Sequence, residues 1–327
     1  MNTFSWSMLC ENARLFGLDT AEFAKLKPFF QQLDKDFFAE CAEKVIGNFP
    51  FQKVTERFKS GELEKFHLLC IIANYQKVVE LYRISGWPED SLQEILSDLK
   101  CWEPVMLRDL GYLGLSQRLF IWAQACLNGE VKQFGRLQCN DIHLFALKLS
   151  LYRQADGTLK EFPAFQKGNP ASPDLTYGDK TINIHIPARG PLKADECMAS
   201  FRRMSRFCQE FYPDYDYKAI VCYSWLLDPQ FKEFLPETSN IVQFQKLGHN
   251  LICPGRDETR EVIWRIWGAP GLATPIDQLP ARNAMERGVV DFLKQGRRFQ
   301  EGLLVIFKDE LLRQKKSRRL VEGMIYL

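Results

Sequence analysis

The chain has 327 residues, 46% hydrophobic and 26% charged, with 43 Lys and Arg against 41 Asp and Glu for a net charge of +2. That length exceeds the ~250–300 residues at which single cores stop growing, so two domains are expected, and the apolar content excludes a disordered chain. So balanced a charge gives no field to hold nucleic acid or an anionic membrane, and neither is expected as a partner.

Ten cysteines run singly from Cys10 to Cys253 with no CxxC pair, the pattern of reduced core thiols rather than of a disulfide framework or a zinc site, and no metal is expected. The start, Met1 to Gly17, lacks the basic and apolar regions of a signal peptide. No later stretch reaches the ~18 apolar residues that cross a bilayer. The expected location is cytoplasmic, and nothing in the pattern fixes an oligomeric state.

From Asp19 to Gly129 the periodicity is helical. Asp19 with Glu22 forms a capping-box pattern, and Phe23, Leu26, Phe30, Leu33 and Phe37 follow at three- and four-residue spacing, with a kink or break expected at Pro28. Leu63, Phe66, Leu69, Cys70 and Ala73 mark a second segment, which with Leu81 runs to a stop at Gly86 and Pro88. Ser116 is placed to cap a helix carrying Leu119, Trp122, Ala123 and Cys126, ending at Gly129. Residues 1–130 are therefore assigned to an all-helical domain and 131–327 to a second one.

After Gly129 the period becomes 2. Gln133 to Cys139 and Ile142 to Tyr152 are predicted strands, the latter ending at the Asp156-Gly157 turn, and 155–180 is predicted as a long surface loop. Then follow a strand Thr181–Ile186, a long helix Asp195–Tyr212, a strand Lys218–Trp225, a short helix Pro229–Leu235, and strands Asn240–Lys246 and Glu261–Gly268. A helix Ala281–Gln295, a strand Gly302–Phe307 and a basic tail, Arg313 to Arg319, complete the order. The tail is taken as an exposed helix end.

That order is similar to the core of the GCN5-related N-acetyltransferase (GNAT) fold. Particular words sharpen the likeness: Cys222 to Gln230 (CYSWLLDPQ), Leu235-Pro236, Ser239-Asn240-Ile241 and Phe244-Gln245. Gly86-Trp87-Pro88, Gly135-Arg136-Leu137-Gln138, His185-Ile186-Pro187, Leu279-Pro280 and Glu286-Arg287-Gly288 spread it over most of the chain. Together they resemble a bacterial family of acyltransferases that joins an N-acyltransferase N-terminal helical domain to a GNAT-like C-terminal domain. The implied fold class is α+β, a helical domain followed by a mixed sheet flanked by helices.

The resemblance implies acyl-CoA, or acetyl-CoA, as co-substrate and a small-molecule amine as acceptor. It places the acyl donor where Thr181–Ile186 and Lys218–Trp225 splay apart, with the pyrophosphate on the loop Ala188 to Ala194 at the start of the long helix. In that loop Arg189 and Lys193 supply charge, Gly190 allows close approach, and Leu192 is part of the cradle. A single glycine and Pro191, which has no N–H, replace the Arg/Gln-x-x-Gly-x-Gly/Ala of well-studied relatives.

Direct attack on a thioester needs a base for the ammonium proton and an acid for the thiolate. His185 is the candidate base, or a histidine held in the sheet by a backbone hydrogen bond. Tyr223 and Ser224 point to opposite faces, so only one of them faces the cleft. Asp228, followed by Pro229, has the form of a helix N-cap as well as of a substrate contact. Ser239 and Asn240 fit turn chemistry or the orientation of an amide-bearing ligand. Arg202, Arg203 and Arg206 face either the nucleotide phosphates or solvent, and Cys222 fits a core thiol. The competing class is a non-catalytic binding protein on the same fold, with its cleft filled by Phe, Trp or Leu.

Overall fold

A computed structural model describes residues 4–169 and 172–312. The basic tail predicted at 313–319 lies outside the described residues. Two compact units divide the chain: Met1–Gln133 with Pro187–Arg189, and Phe134–Ile186 with Gly190–Leu327.

Among the described residues, ten helices build the first unit: α1 (Trp6–Leu15), α2 (Thr20–Ala24), α3 (Lys27–Gln32), α4 (Lys35–Glu43), α5 (Phe51–Arg57), α6 (Glu62–Ile72), α7 (Tyr75–Ser85), α8 (Glu89–Leu96), α9 (Asp98–Leu110) and α10 (Gln117–Leu127). The stripe from Phe23 to Phe37 is cut into three. Asp19 Oδ1 accepts from the Ala21 and Glu22 amides at 2.8 Å to start α2, Pro28 sits in the first turn of α3, and Asp34 caps α4. α7 stops at Gly86, whose φ of +66° is left-handed, and Ser116 caps α10 as its spacing predicts.

His67, fully buried on α6, is packed by Phe120 at 4.6 Å between ring centroids. Its Nδ1 lies 3.0 Å from the Leu115 carbonyl, which can only accept, so Nδ1 carries the proton. Burial lowers its pKa from the usual imidazole value. Between that depressed value and the ordinary ~6.5 the unfolded chain binds more protons than the folded one, so stability falls as pH falls through this window and is level above it. Urea unfolding at pH 7.5 and 5.5 should show this loss in the parent protein and a smaller one in His67→Asn, whose amide still donates to Leu115. Equal losses in both would rule His67 out as the cause.

A six-stranded sheet has the order β1 (Val131–Phe134), β2 (Leu137–Leu144), β6 (Lys180–His185), β7 (Ala219–Ser224), β9 (Gln300–Phe307), β8 (His249–Asp257); all but β1, which runs up to the boundary at Gln133–Phe134, lie in the second unit. A smaller sheet has the order β4 (Leu159–Pro163), β3 (Leu149–Arg153), β5 (Leu175–Thr176). The helices are α11 (Ala194–Phe211), α12 (Asn240–Gln245), α13 (Thr259–Ala273) and α14 (Ala284–Lys294), with 3-10 turns at Trp225–Leu227, Pro229–Glu233 and Ile276–Gln278.

Five local expectations are corrected. The strand predicted over 142–152 is two strands: at Phe145 the chain leaves the main sheet, its N–H donating to Asp179 O and its carbonyl accepting from Gly178 N, while the ring is fully buried. The loop predicted over 155–180 contains β4, which is half exposed and shows no period, and the two-residue β5. Residues 240–246 are the helix α12, because Ser239 Oγ accepts from Val242 N and starts a turn from an apolar run too short for periodicity to classify. Residues 261–268 belong to α13: Val262, Ile263, Ile266 and Trp267 recur at helical spacing and face a core with Phe231, Val289 and Phe299. β8 adds a strand that periodicity does not predict, since Gly248, Pro254 and Gly255 break its alternation. It is the sheet's edge strand and is bulged between Ile252 and Asp257, where a proline is tolerated.

Candidate functional site

β6 and β7 are the sheet's parallel neighbours. Their register runs from Thr181↔Ala219 to Ile184↔Cys222 and ends there. Beyond that point β6 stays with β2, Gln138 opposite His185, and β7 stays with β9 as far as Ser224 opposite Gly302. The gap between them is the splay at which the resemblance places the acyl donor.

Alternation assigns the faces. Ile182, Ile184, Ile220 and Cys222 point to one side, where burial raises the Cys222 thiol far above its ordinary pKa, as it does the neighbouring Cys197 of α11, to about 12. These are inert core thiols. Thr181, Asn183 and His185 point to the other side, together with Val221 and Tyr223 of β7 and, directly across the antiparallel pair, Gln138 and Asn140. Over β7, β9 and β8 this second face is apolar and covered by the small sheet, with Val221, Leu303, Val305, Leu151 and Leu175 in one cluster. Over β2 and β6 it is polar: Gln138 and Asn183 are buried, Asn140 and His185 half-buried.

The structure thus brings His185 and Tyr223 to one face at the end of adjacent strands. His185 Nε2 contacts Asn140 Oδ1 and lies 3.3 Å from Asn183 Nδ2. Asn183 Oδ1 is buried without a hydrogen bond. The Tyr223 hydroxyl, also buried without one, is pushed up to about 12 by desolvation, which outweighs the nearby Ala146 and Leu147 amides. At neutral pH it is a proton donor.

Ser224 leaves this set: its Oγ accepts from Leu226 N at 3.2 Å and caps the 3-10 turn. Asp228 is fully buried and caps the next turn, Oδ1 accepting from Gln230 N and Oδ2 from Gln230 Nε2 and Gln300 N at 2.7 Å. Ser239 caps α12, and Asn240 is the exposed first residue of that helix. These three caps answer the backbone's orphan donors.

In the loop ahead of α11, Gly190 has φ +50° and faces open space, Leu192 is buried, and exposed Lys193 pairs with Glu196 at 3.0 Å. Among the described residues, no side chain caps the first turn of α11. Arg136, which the sequence offered only as part of a family word, donates from Nε to Pro191 O at 2.9 Å and from Nη2 to Gly190 O at 3.3 Å, and its amide donates to Ser200 Oγ of α11. The loop's carbonyls are thereby turned toward a guanidinium. Arg189 is engaged elsewhere, its Nη2 on Ser97 Oγ at 3.0 Å and Glu94 O at 3.3 Å. Of the α11 arginines, Arg203 lies against the Phe134 ring and Arg206 is exposed.

Asn140 and Asn183 escape a reading of the sequence although a signal exists: amides at positions that alternation assigns to a sheet face. Among the described residues no group of three His, Cys, Asp or Glu is arranged to hold a metal, and no helix is long and apolar enough to cross a membrane.

Residues 131–304 match the sequence profile of the GNAT-like C-terminal domain. A search of curated proteins gives no match. Among solved structures, an acyltransferase mutant in complex with octanoyl-CoA superposes with a TM-score of 0.67 at 19% identity, covering 94% of this chain and 89% of that one. An acyltransferase in complex with decanoyl-CoA and teicoplanin gives 0.66 at 20%, covering 90% and 86%. Another, in complex with CoA and 10C-teicoplanin, gives 0.63 at 21%, covering 89% and 85%. Likeness at this level of identity establishes the fold.

Truncating Asp228 tests its role as a structural cap. Asp228→Ala strands the Gln230 and Gln300 backbone amides at ~1–3 kcal/mol each, so urea unfolding should show a loss of at least ~2 kcal/mol, and Asp228→Asn, which keeps one acceptor oxygen, a smaller loss. A loss under ~1 kcal/mol for Asp228→Ala would show that the donors find other partners.

Proposed function

The chain belongs to the family of GNAT-like C-terminal domains, and from that membership we propose that it transfers an acyl group from acyl-CoA to the amine of a small-molecule acceptor. The observation that carries this reading is the end of the β6–β7 register at Ile184–Cys222, with His185 and Tyr223 on one face beyond it. Solved structures of the same fold hold octanoyl- and decanoyl-CoA, one of them with teicoplanin, which favours a medium-chain donor and an organic rather than a macromolecular acceptor.

In this reading the donor's phosphates meet the backbone of Gly190, Leu192 and Lys193, the Lys193 ammonium and the uncapped first turn of α11. Asp195 and Glu196 in that turn oppose an anion, so Lys193 and the dipole have to outweigh them. Arg136 contributes by holding the Gly190 and Pro191 carbonyls away from the phosphate. His185 takes a proton from the acceptor's ammonium. The freed amine nitrogen attacks the thioester carbon, a C–N bond forms, the C–S bond breaks, and the thiolate takes the Tyr223 proton; the surplus proton on the new amide nitrogen passes to the Tyr223 phenolate, and His185 gives its own to solvent.

The test joins a binding and a rate measurement. A saturating acyl-CoA, at about 100 times its Kd, should add ~2.7 kcal/mol and raise the thermal midpoint, and Lys193→Glu should weaken that rise. His185→Ala should keep the rise while lowering acyl transfer to an amine panel, followed by mass spectrometry, by on the order of 10²–10⁴. No rise with acetyl-, octanoyl- or decanoyl-CoA at millimolar concentration would overturn the reading. A rise without acyl transfer to any amine would leave a CoA-binding protein.

A further inference from the structure

The imidazole of His185 sits against two side-chain amides, and one ring nitrogen cannot satisfy both as they are set. Nε2 contacts Asn140 Oδ1, which accepts, and Asn183 Nδ2 at 3.3 Å, which donates. A ring nitrogen carries either a proton or a lone pair, so one of the two amides is turned about its last bond in solution. Two arrangements are consistent. In the first, Nε2–H donates to Asn140 Oδ1 and Asn183 turns its Oδ1 toward the same proton. In the second, the Nε2 lone pair accepts from Asn183 and Asn140 turns its Nδ2 toward the ring.

The two differ in chemistry. Amide oxygens on Nε2–H favour the charged ring and put the lone pair of the neutral ring on Nδ1, whereas amide N–H groups on Nε2 oppose protonation. A base for an ammonium proton needs the first. Resting on the acyltransfer reading above, we propose that Asn140 and Asn183 are positioning residues that hold the His185 proton on Nε2, so that Nδ1 is the atom that takes the acceptor's proton. Their placement supports this. Asn140 faces Asn183 directly across the β2–β6 pair, and His185 is two residues further along the same face. Asn183 is only 8% exposed and has one end of its amide unpaired, a desolvation cost that an apolar residue at this position would avoid.

The tautomer is measured directly by nitrogen NMR of the ligand-free protein labelled at its four histidines, with the His185 signals identified by their loss in His185→Gln. Above the ring's pKa, a protonated-type Nε2 and an unprotonated-type Nδ1 are expected, with Asn140→Asp keeping that pattern and Asn140→Leu shifting it toward Nδ1–H. A proton on Nδ1 in the parent protein overturns the proposal, and so does a tautomer that Asn140→Leu leaves unchanged. With an acyl-CoA and an accepted amine, Asn140→Leu should lower kcat by on the order of 10-fold or more and Asn140→Asp should recover most of it, a split that general loss of packing would not produce. If the two variants are equally slow, Asn140 does not position the base. Absence of acyl transfer in the parent protein would instead remove the acyltransfer reading, and the NMR result would still stand or fall on its own.

Discussion

Strands β6 and β7 pair as far as Ile184 and Cys222, and each is then drawn off by its other neighbour: β6 by β2 through Gln138 and His185, β7 by β9 through Ser224 and Gly302. Two parallel strands that part in this way leave backbone N–H and C=O groups unpaired at the point of divergence, a cost the rest of the sheet has to carry. The divergence is held by packing. A Cβ on Gly302 would meet the Leu227 carbonyl at 2.4 Å, so only glycine lets the chain leaving β7 turn down against β9. Asp228, accepting from the Gln300 amide, fastens the same turn to the start of β9. Gln245, which donates to the Leu226 and Asp228 carbonyls, and Asn250, which donates to Leu227, close it from α12 and β8. Much of the word from Ser224 to Gln230 therefore shapes the opening instead of lining it.

The same divergence explains the division of the sheet face. Where the small sheet covers β7, β9 and β8, the inward residues are mainly valine, leucine and phenylalanine, with Ala219, Cys253 and the Tyr223 ring among them. Where β2 and β6 continue past that cover, the inward residues are glutamine, asparagine and histidine. Burying these amides costs more than burying aliphatic side chains of the same size unless each finds a partner, and Asn183 does not find a full set. The polar patch is thus confined to the two strands on one side of the splay, and the Tyr223 hydroxyl, on the same sheet face, is buried without a hydrogen bond.

How much of this is legible in the sequence depends on how strongly each signal is local. Caps are: Asp19, Ser116 and Asp228 all answer backbone amides two or three residues on, which is a short-range fact. The strands β6, β7 and β9 and the long helix α11 are, because their apolar residues repeat over a whole element. Short apolar runs are not: 240–246 and 261–268 fit a strand or a helix equally until Ser239 in one case and the Phe231–Phe299 core in the other decides. The edge strand β8 is hidden by the residues that make it a tolerable edge, since a proline and a bulge erase alternation while protecting against further pairing. Within the site, His185 and Tyr223 stand out as chemically able residues, but the asparagines beside them do not, because their role depends on cross-strand register, which no single strand encodes.

In the proposed reading, the loop ahead of α11 meets the donor's phosphates with one glycine, Gly190, followed by Pro191. Loops with several glycines bring many N–H groups to a phosphate, whereas here proline removes one and the left-handed turn at Gly190 reorients the rest. The two carbonyls that such a turn would point at an anion are instead bonded to Arg136, whose own amide is fixed by Ser200 of α11. Loop and helix are thereby joined through one residue of the β1–β2 turn, and among the described residues no side chain caps the positive end of α11. If the loop holds the donor as proposed, fewer backbone donors are offset by the fixed positive charge of Arg136 behind it, which acts at longer range and depends less on close fit.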